Sequence, residues 1–180
     1  MYARGYGPRT RALNADDIAF VTSRTSFYLG TVSETGWPYI QHRGGPAGFL
    51  KVLDDHTLAF ADYRGNKQHI TEGNITADNR VSLFLMDYPR KARMKLQGRA
   101  TFQAAADAPD LVQRLAMTGE GRVERVVTIA LEAFDWNCPQ FITPRFDANE
   151  IAQLVGPEMD KLNARIAALE AENAALKGQG

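Results

Sequence analysis

Between residues 26 and 134 the sequence is a succession of short strand-like segments separated by turn residues, and this pattern constrains the fold more than any other feature. Residues 27–33 stop at Glu34, Thr35 and Gly36, a hairpin signal, and residues 37–43 form the returning strand. Further strands are predicted at residues 49–53, 57–62, 81–86, 93–100 and 123–134. Many short strands with brief helices are typical of a mainly β fold, and we expect a small antiparallel barrel.

Two of these strands have an informative side-chain pattern. Residues 81–86 (VSLFLM) are almost entirely apolar, which predicts a central strand that is buried on both faces. In the next strand polar and apolar residues alternate, so one face is expected to be polar and the other to pack in the core. The polar positions are Arg93, Lys95, Gln97 and Arg99, and the apolar ones are Met94, Leu96 and Ala100.

The helices are fewer and shorter. Asn14 and Asp17 have the spacing of a capping box, which predicts a helix from there to about Ser23. Pro109 and Gly119 mark the start and stop of a second short helix. Residues 1–11 show no periodicity and are predicted to be a loose arm, with the barrel domain over residues 12–148 and a helix over residues 149–180.

Charge and composition exclude several classes of function. Lys plus Arg and Asp plus Glu both number 21, so the net charge is +0 and a nucleic-acid partner is not indicated. The only cysteine, Cys138, allows no internal disulfide, and the three histidines lack metal-ligand spacing, so no metal site is expected. No apolar run approaches the length of a membrane span or a signal peptide core, and we expect a cytoplasmic protein with no membrane partner.

The junction after the strand at residues 57–62 has the composition of an anion site. Gly65 permits a tight turn, Asn66 can cap the following helix, and the start of that helix offers unpaired N–H groups. Arg64 and Lys67 add positive charge beside those groups. An ordinary basic surface turn has the same composition, so the residues alone leave both interpretations open.

The C-terminal residues follow a different rule. Apolar residues recur at alternating spacings of four and three, the a/d pattern of a coiled coil, and a single Asn at an a position favours a parallel dimer. A single amphipathic helix folded back on its own barrel is the alternative. The residues are Val155, Met159, Leu162, Ile166, Leu169, Asn173 and Leu176.

Several segments taken in order resemble a known family. They are FYLGTVSETGWPYIQHRGGPAGFLKVL, LAFADYRGNKQHI, VSLFLMDYP, MKLQGRATF and FDWNCPQFITPRF. Together they resemble the pyridoxamine 5'-phosphate oxidase-like split barrels that bind FMN, in particular the flavin-nucleotide-binding subgroup. The resemblance covers residues 12–146 and implies a six-stranded antiparallel split β-barrel that forms a homodimer, with two FMN molecules at the subunit interface.

The resemblance also implies which residues bind the cofactor. His42, Arg43 and Gly44 would lie against the flavin ring and ribityl chain, with Arg43 the candidate for stabilising the reduced ring. The phosphate and the near edge of the ring would be held by Tyr63, Arg64, Asn66, Lys67 and Gln68. Arg93 and Lys95 would reach the cofactor from the neighbouring subunit, and Trp136, Asn137 and Gln140 would close the site.

The chain departs from the family pattern at two points. Phe141 stands where the subgroup has a histidine, and no Arg-x-His pair, the substrate motif of true pyridoxamine phosphate oxidases, occurs in the chain. The expected function is therefore an FMN-dependent oxidoreductase that passes hydride or electrons to or from another small molecule. The alternatives are a flavin-binding carrier, sensor or interaction module without turnover, or a split barrel that binds deazaflavin or haem. Catalytic residues are not identified.

Overall fold

The computed structural model of the protein describes residues 12–64, 69–136 and 140–178. The helices are α1 (Ala15–Thr22), α2 (Ile70–Ala77), α3 (Pro109–Leu115) and α4 (Ala148–Lys177), with a single 3-10 turn at Ala105–Asp107. The strands are β1 (Ser26–Val32), β2 (Pro38–Gly44), β3 (Lys51–Asp54), β4 (Thr57–Tyr63), β5 (Arg80–Asp87), β6 (Ala92–Ala104) and β7 (Val123–Trp136). The chain divides between Ile142 and Thr143 into two compact units.

The strands form one antiparallel sheet in the order β2-β1-β5-β6-β7-β4-β3. The mainly β, antiparallel fold is confirmed, and the sheet has the seven strands that the sequence pattern predicts, one more than the resemblance implies. The count depends on β3, which has four residues and pairs only with β4 at one end of the sheet. The other end of the sheet is β2, so the backbone ladder of the described strands does not close into a complete barrel.

The β1–β2 hairpin forms where the turn residues predict it. Val32 pairs with Pro38, and the backbone N–H of Gly36 donates to the carbonyl of Ser33 over 2.8 Å. Gly36 has a φ of +84°, a left-handed conformation that favours glycine. Pro38 is tolerated because it is the first residue of a strand at the end of the sheet, where the missing N–H interrupts no central ladder.

The core lies on one face of the curved sheet, which we call the inner face. Phe27 stacks on Phe49 with ring centroids 5.7 Å apart and meets Phe60 edge-on at 5.5 Å. The inner face also carries Leu29, Leu83, Leu85, Met94 and Leu96, each with at most 1% of its surface exposed. Alternation along β6 agrees with the prediction, since Met94, Leu96 and Ala100 are buried and Gln97 and Arg99 are exposed.

The prediction that β5 is buried on both faces is wrong for this chain. Val81, Leu83 and Leu85 are buried on the inner face, but Ser82 is exposed and Phe84 is only partly buried. The side chains of Ser82 and Phe84 belong to the opposite, outer face of the sheet, which is less covered than the inner face. An apolar run therefore indicates the central position of β5 without indicating what packs on its second face.

Helices α1 and α3 begin as the sequence predicts. The side chain of Asn14 accepts hydrogen bonds from the N–H groups of Asp16 and Asp17, and the Asp17 carboxylate accepts from the N–H of Asn14, which completes a capping box. Pro109 occupies the first turn of α3, where its missing N–H has no helical partner to lose.

In the described part of the chain, no helix combines the length and the apolar character needed to cross a membrane.

The end of β5 is fixed by a buried carboxylate, Asp87. Its side chain is 3% exposed and forms ion pairs with Arg24 at 2.8 Å and with Arg90 at 3.1 Å. Burial by itself raises the pKa of Asp87, but hydrogen bonds from the backbone and side chain of Arg90 and the charge of Arg24 outweigh it. The net pKa therefore lies below its ordinary value.

Replacement of this carboxylate should reduce stability in a pH-dependent way. A group whose pKa is lowered by folding stabilises the protein above its unfolded pKa, about 3.9 for Asp, and loses that contribution as the pH falls through the folded pKa. We expect Asp87→Asn to lower the free energy of unfolding by about 2–3 kcal/mol at pH 7, because the mostly buried Arg24 loses its counter-charge. Urea unfolding at pH 7 and pH 3 measures the change. The difference in the free energy of unfolding between Asp87→Asn and the parent should be smaller at pH 3 than at pH 7.

Asp78 provides the matched control. Hydrogen bonds from the side chain and backbone of Arg80 lower the pKa of Asp78 to about 2, yet Arg80 is exposed to solvent and Asp78 is only partly buried. Because exposed ion pairs contribute little to stability, Asp78→Asn should leave the urea midpoint nearly unchanged. An equal loss in both variants, or a difference for Asp87→Asn that does not depend on pH, would contradict the assignment.

Candidate functional site

The junction between β4 and α2 positions the first candidate residues. Arg64 follows the last residue of β4, is 64% exposed, and has a carboxylate of Glu124 at 3.9 Å. Helix α2 begins at Ile70 and its N-cap is His69, in a left-handed conformation with no side-chain cap, so the predicted Asn66 cap is wrong. Gly65, Asn66, Lys67 and Gln68 lie outside the described residues. The helix therefore starts with N–H groups that its N-cap side chain does not bind.

Side chains connect β2 with β4, β7 and α2, and we call this set (Gln41, Arg43, Asp62, Thr71 and Arg125) the seam. Arg43 donates to one carboxylate oxygen of Asp62 over 2.9 Å, and Arg125 donates to the other over 2.8 Å and 3.1 Å. The hydroxyl of Thr71 in α2 donates a hydrogen bond to the side-chain oxygen of Gln41 in β2. β2 and β4 are not neighbours in the sheet, so polar side chains hold the open side of the barrel together.

The seam continues into α2. Arg125 forms an ion pair with Glu72, and its guanidinium lies 2.6 Å from Nδ1 of His69. Asn74 extends the contact by donating to Thr31 over 2.9 Å in a buried hydrogen bond. The arginines Arg43 and Arg125 are thus balanced by the carboxylates of Asp62 and Glu72, and α2 is tied to the barrel opening through polar contacts.

Arg43 keeps one unsatisfied donor within this arrangement. Its Nε is buried and has no hydrogen-bond partner among the described residues. A buried N–H of an arginine without a partner is costly, and an anionic or carbonyl oxygen would satisfy it. Its guanidinium also lies 5.7 Å from the ring centroid of Phe60, so the side chain is oriented from two sides.

The outer face of the sheet brings a second group together. The strand register places His42, Tyr28, Phe84 and Lys95 side by side across four strands. Tyr28 and His42 meet edge-on with ring centroids 5.7 Å apart. In the next row Ile40 is 70% exposed beside Gly30, which has no side chain to fill the surface. The result is an aromatic and apolar surface with a lysine at one side.

Two adjoining grooves lie over Gly30 on this face. One has a volume of 170 Å³ and the other 530 Å³, and the larger falls within the range of cofactor sites, about 300–1,000 Å³. The smaller is lined by Tyr28, Gly30, Ile40, Ser82, Phe84, Lys95 and Gln97, among others. The larger shares Gly30, Ile40, Ser82 and Gln97 with it and reaches Arg80 and Glu132.

The predicted site residues therefore divide between two faces. His42 and Arg43 are neighbours in β2 and point to opposite faces, as the period of a strand requires. Arg93 lies beside Met86 on the outer face and has a buried Nε without a partner among the described residues. At Gly44 an added Cβ would meet Cε1 of His42 at 3.1 Å, so a larger residue there would require the imidazole ring to shift.

Tyr63 and Trp136 are engaged in other contacts. The Tyr63 hydroxyl accepts a hydrogen bond from the N–H of Met117 over 2.7 Å, on the side of β4 that packs against α3. The Trp136 indole N–H donates to Asp17 over 2.8 Å, and its ring meets Phe20 edge-on at 4.5 Å. Gln140 is exposed, and Asn137 lies outside the described residues.

Sequence reasoning missed the acidic partners of the seam. The carboxylates of Asp62 and Glu72 were not identified, and neither was Arg125, which pairs with both. The only available signal was a charged residue within each of two strands, Asp62 in β4 and Arg125 in β7, at positions where the strands turn out to pair.

Among the described residues, no group of three or more His, Cys, Asp or Glu side chains has the geometry to hold a metal ion.

The chain matches the family model described as Pyridoxamine 5'-phosphate oxidase over residues 17–129. No curated protein matches it. Solved structures share the fold. A putative pyridoxamine 5'-phosphate oxidase from Lactobacillus delbrueckii is 20% identical, with a TM-score of 0.56, and the alignment covers 70% of this chain and 95% of that one.

Two further structures have the same fold. HupZ of Group A Streptococcus is 17% identical with a TM-score of 0.54, and the alignment covers 74% of this chain and 99% of that one. A Clostridium acetobutylicum protein related to general stress protein 26 of B. subtilis is 14% identical with a TM-score of 0.52 over 76% of this chain and 94% of that one. At such low identity these structures establish the fold alone.

Proposed function

Because the chain belongs to the pyridoxamine 5'-phosphate oxidase family, we propose that it is a flavoprotein that binds FMN and acts as an oxidoreductase on a small molecule. The observation that carries the proposal is the β4–α2 junction, where exposed Arg64 follows the strand and His69, the N-cap of the next helix, provides no side-chain cap. This is an arrangement that suits a phosphate monoester.

The residues of the junction fit the phosphate of FMN. Arg64 has the guanidinium fork that binds phosphate through two parallel hydrogen bonds, and Lys67 would add a point charge. The first N–H groups of α2 carry partial positive charge. Arg43 contributes its unpaired Nε as a donor, although Asp62 already neutralises its charge. Arg43 would therefore bind and orient more than it attracts.

The outer face fits the ring of a flavin. A flat, largely apolar ring needs an aromatic or aliphatic wall, and Tyr28, His42 and Ile40 supply one. Lys95 and Arg93 stand at the side of that wall. Their positive charge favours a ring that gains electrons, which is how a protein makes a flavin easier to reduce.

FMN when bound would supply the hydride or electron transfer that no protein side chain supplies. The chain's own residues would bind the phosphate, orient the ring on the outer face and exclude water from it. The proposal assigns no general acid or base, so the protein's contribution in it would be binding and electrostatics.

A homodimer is part of the proposal. Ile40, Tyr28 and half-buried Phe84 leave the outer face with apolar surface that a second copy would cover. A dimer across this face would enclose the ring between subunits and bring Arg93 and Lys95 of one copy towards the cofactor of the other. The expected cytoplasmic location remains a prediction.

A flavin-binding module without turnover is the second candidate function. Phe141 stands where a family histidine is expected, is fully exposed, and adopts a left-handed φ of 62°. Together with the missing Arg-x-His pair, this argues against the vitamin substrate. Deazaflavin or haem in the same groove is a weaker alternative.

An absorbance spectrum of the full-length protein tests the proposal. After addition of FMN and desalting, we expect a retained flavin double band and about one FMN per chain, in keeping with one junction per subunit. Bleaching by NAD(P)H under anaerobic conditions, followed by reoxidation with turnover, would establish the oxidoreductase. Retained FMN that no reductant turns over would favour the binding module, and a Soret band or no retained flavin would overturn the FMN assignment.

A further inference from the structure

Helix α4 carries a continuous apolar stripe that is exposed along its whole length. None of the residues in Ala148–Lys177 is buried. The stripe residues are 40–63% exposed, a high value for large apolar side chains: Val155, Met159, Leu162, Ile166, Leu169 and Leu176. An exposed stripe of this size on a 30-residue helix marks an interaction surface.

The stripe has the spacing of a two-stranded coiled coil. Leu162, Leu169 and Leu176 occupy successive d positions, and Met159 and Ile166 occupy a positions, with Asn173 at the last a position. Pro157 falls at an f position, which points away from the a/d positions of a coiled coil. Since proline removes one helical hydrogen bond, the regular coil is expected to begin after it.

The flanking charges decide the identity and direction of the partner. In a parallel, in-register pair, each g residue faces the e residue five positions later on the other helix. Arg165 at g then faces Glu170, and Glu172 at g faces Lys177, so both pairs have opposite charge. The same two pairs form twice by symmetry, because the helix is complementary to itself.

An antiparallel pair does not satisfy the same residues. In a centred antiparallel arrangement g residues face g residues, which puts Arg165 against Arg165 and Glu158 against Glu172. An antiparallel pair also sets a positions against d positions, so that Asn173 would face an apolar side chain and leave its amide without a partner. A parallel pair instead sets Asn173 against Asn173, where the amides hydrogen-bond each other.

We infer that α4 pairs with the α4 of a second copy of this chain as a parallel, in-register coiled coil over residues 159–177. Its specificity comes from the Asn173 pair and from the Arg165–Glu170 and Glu172–Lys177 ion pairs between copies. This inference does not depend on flavin binding.

Disulfide trapping in the full-length chain tests the register. In a Cys138→Ser background, Leu169→Cys puts a thiol at a d position, where identical residues of a parallel in-register pair face each other. Mild oxidation at micromolar concentration should convert most of the protein to a cross-linked dimer. Ala171→Cys, at an outward f position, is the matched control and should cross-link several-fold less. Equal yields, or no dimer from Leu169→Cys in protein with unchanged helix content, would overturn the inference.

An exchange of charges between positions 165 and 170 tests both the parallel orientation of the two helices and the identity of the partner helix. Glu170→Arg sets an arginine against Arg165 of the other copy and should lower the Leu169→Cys cross-linking yield several-fold. Adding Arg165→Glu restores opposite charges and should restore the yield. A parallel homodimer alone predicts this recovery, whereas docking on the barrel or on another protein predicts further loss or no change. Failure of the exchange to restore cross-linking would contradict the assigned register.

Discussion

Asp62→Ala is expected to lower the free energy of unfolding by about 3–5 kcal/mol, a large part of the roughly 5–15 kcal/mol that stabilises a typical domain. Asp62 is 8% exposed and is the common acceptor for Arg43 and Arg125. Its removal leaves two mostly buried guanidinium groups with less counter-charge and opens the side-chain bridge between β2 and β4. Urea unfolding followed by far-UV circular dichroism measures the change.

Two further variants separate the effect of losing a negative charge from the effect of where that charge lies. Asp62→Asn keeps one acceptor oxygen and should lose less than Asp62→Ala. Asp55→Ala removes an exposed carboxylate that lies 3.8 Å from His56, and a change within about 0.5 kcal/mol is expected. A loss below about 1 kcal/mol for Asp62→Ala would mean that the seam contributes little to stability, against the expectation for breaking a buried pair.

Arg64→Ala with Lys67→Ala is expected to weaken FMN binding by about 10²–10⁴-fold, because each of the two side chains loses its charge-assisted interaction with the phosphate, worth at least about 1.5–3 kcal/mol. Fluorescence titration of FMN gives the dissociation constant. Riboflavin has the same ring without the phosphate, so its affinity should be nearly the same in the parent and the double variant.

A charge-matched control removes two positive charges elsewhere. Arg114 is exposed in α3 and Lys161 is exposed in α4, and Arg114→Ala with Lys161→Ala should leave FMN affinity unchanged. If the Arg64/Lys67 variant binds FMN as tightly as the parent, the phosphate lies elsewhere. If it loses FMN and riboflavin equally, the two residues support the fold of the junction without binding the phosphate.

Local features of the fold were predictable from the sequence. The hairpin at Gly36, the capping box at Asn14 and the helix start at Pro109 each depend on residues within a few positions of each other. The alternation of polar and apolar residues in β6 likewise predicted which of its side chains are exposed and which are buried. Burial of the outer face of β5 was overestimated, because an apolar strand does not reveal what covers it.

The seam could not be predicted because it is assembled from distant parts of the chain. Arg125 and Asp62 are 63 residues apart and meet only because β7 pairs with β4. Arg43 was predicted to face a ligand, yet nothing in its neighbourhood along the chain indicated a carboxylate partner in β4. The N-cap of α2 was placed at Asn66, since asparagine is a common cap, whereas the N-cap is His69, whose side chain does not cap the helix.

The two ends of the sheet bear on how this protein avoids aggregation. A strand at the end of a sheet presents free backbone groups that can recruit another chain, and such growth leads to fibrils. β3 limits this risk by being four residues long and ending at Asp54. β2 begins with Pro38, which donates no hydrogen bond. Both ends of the sheet therefore discourage the addition of a further strand. The sheet can stay open without recruiting another chain at its edges.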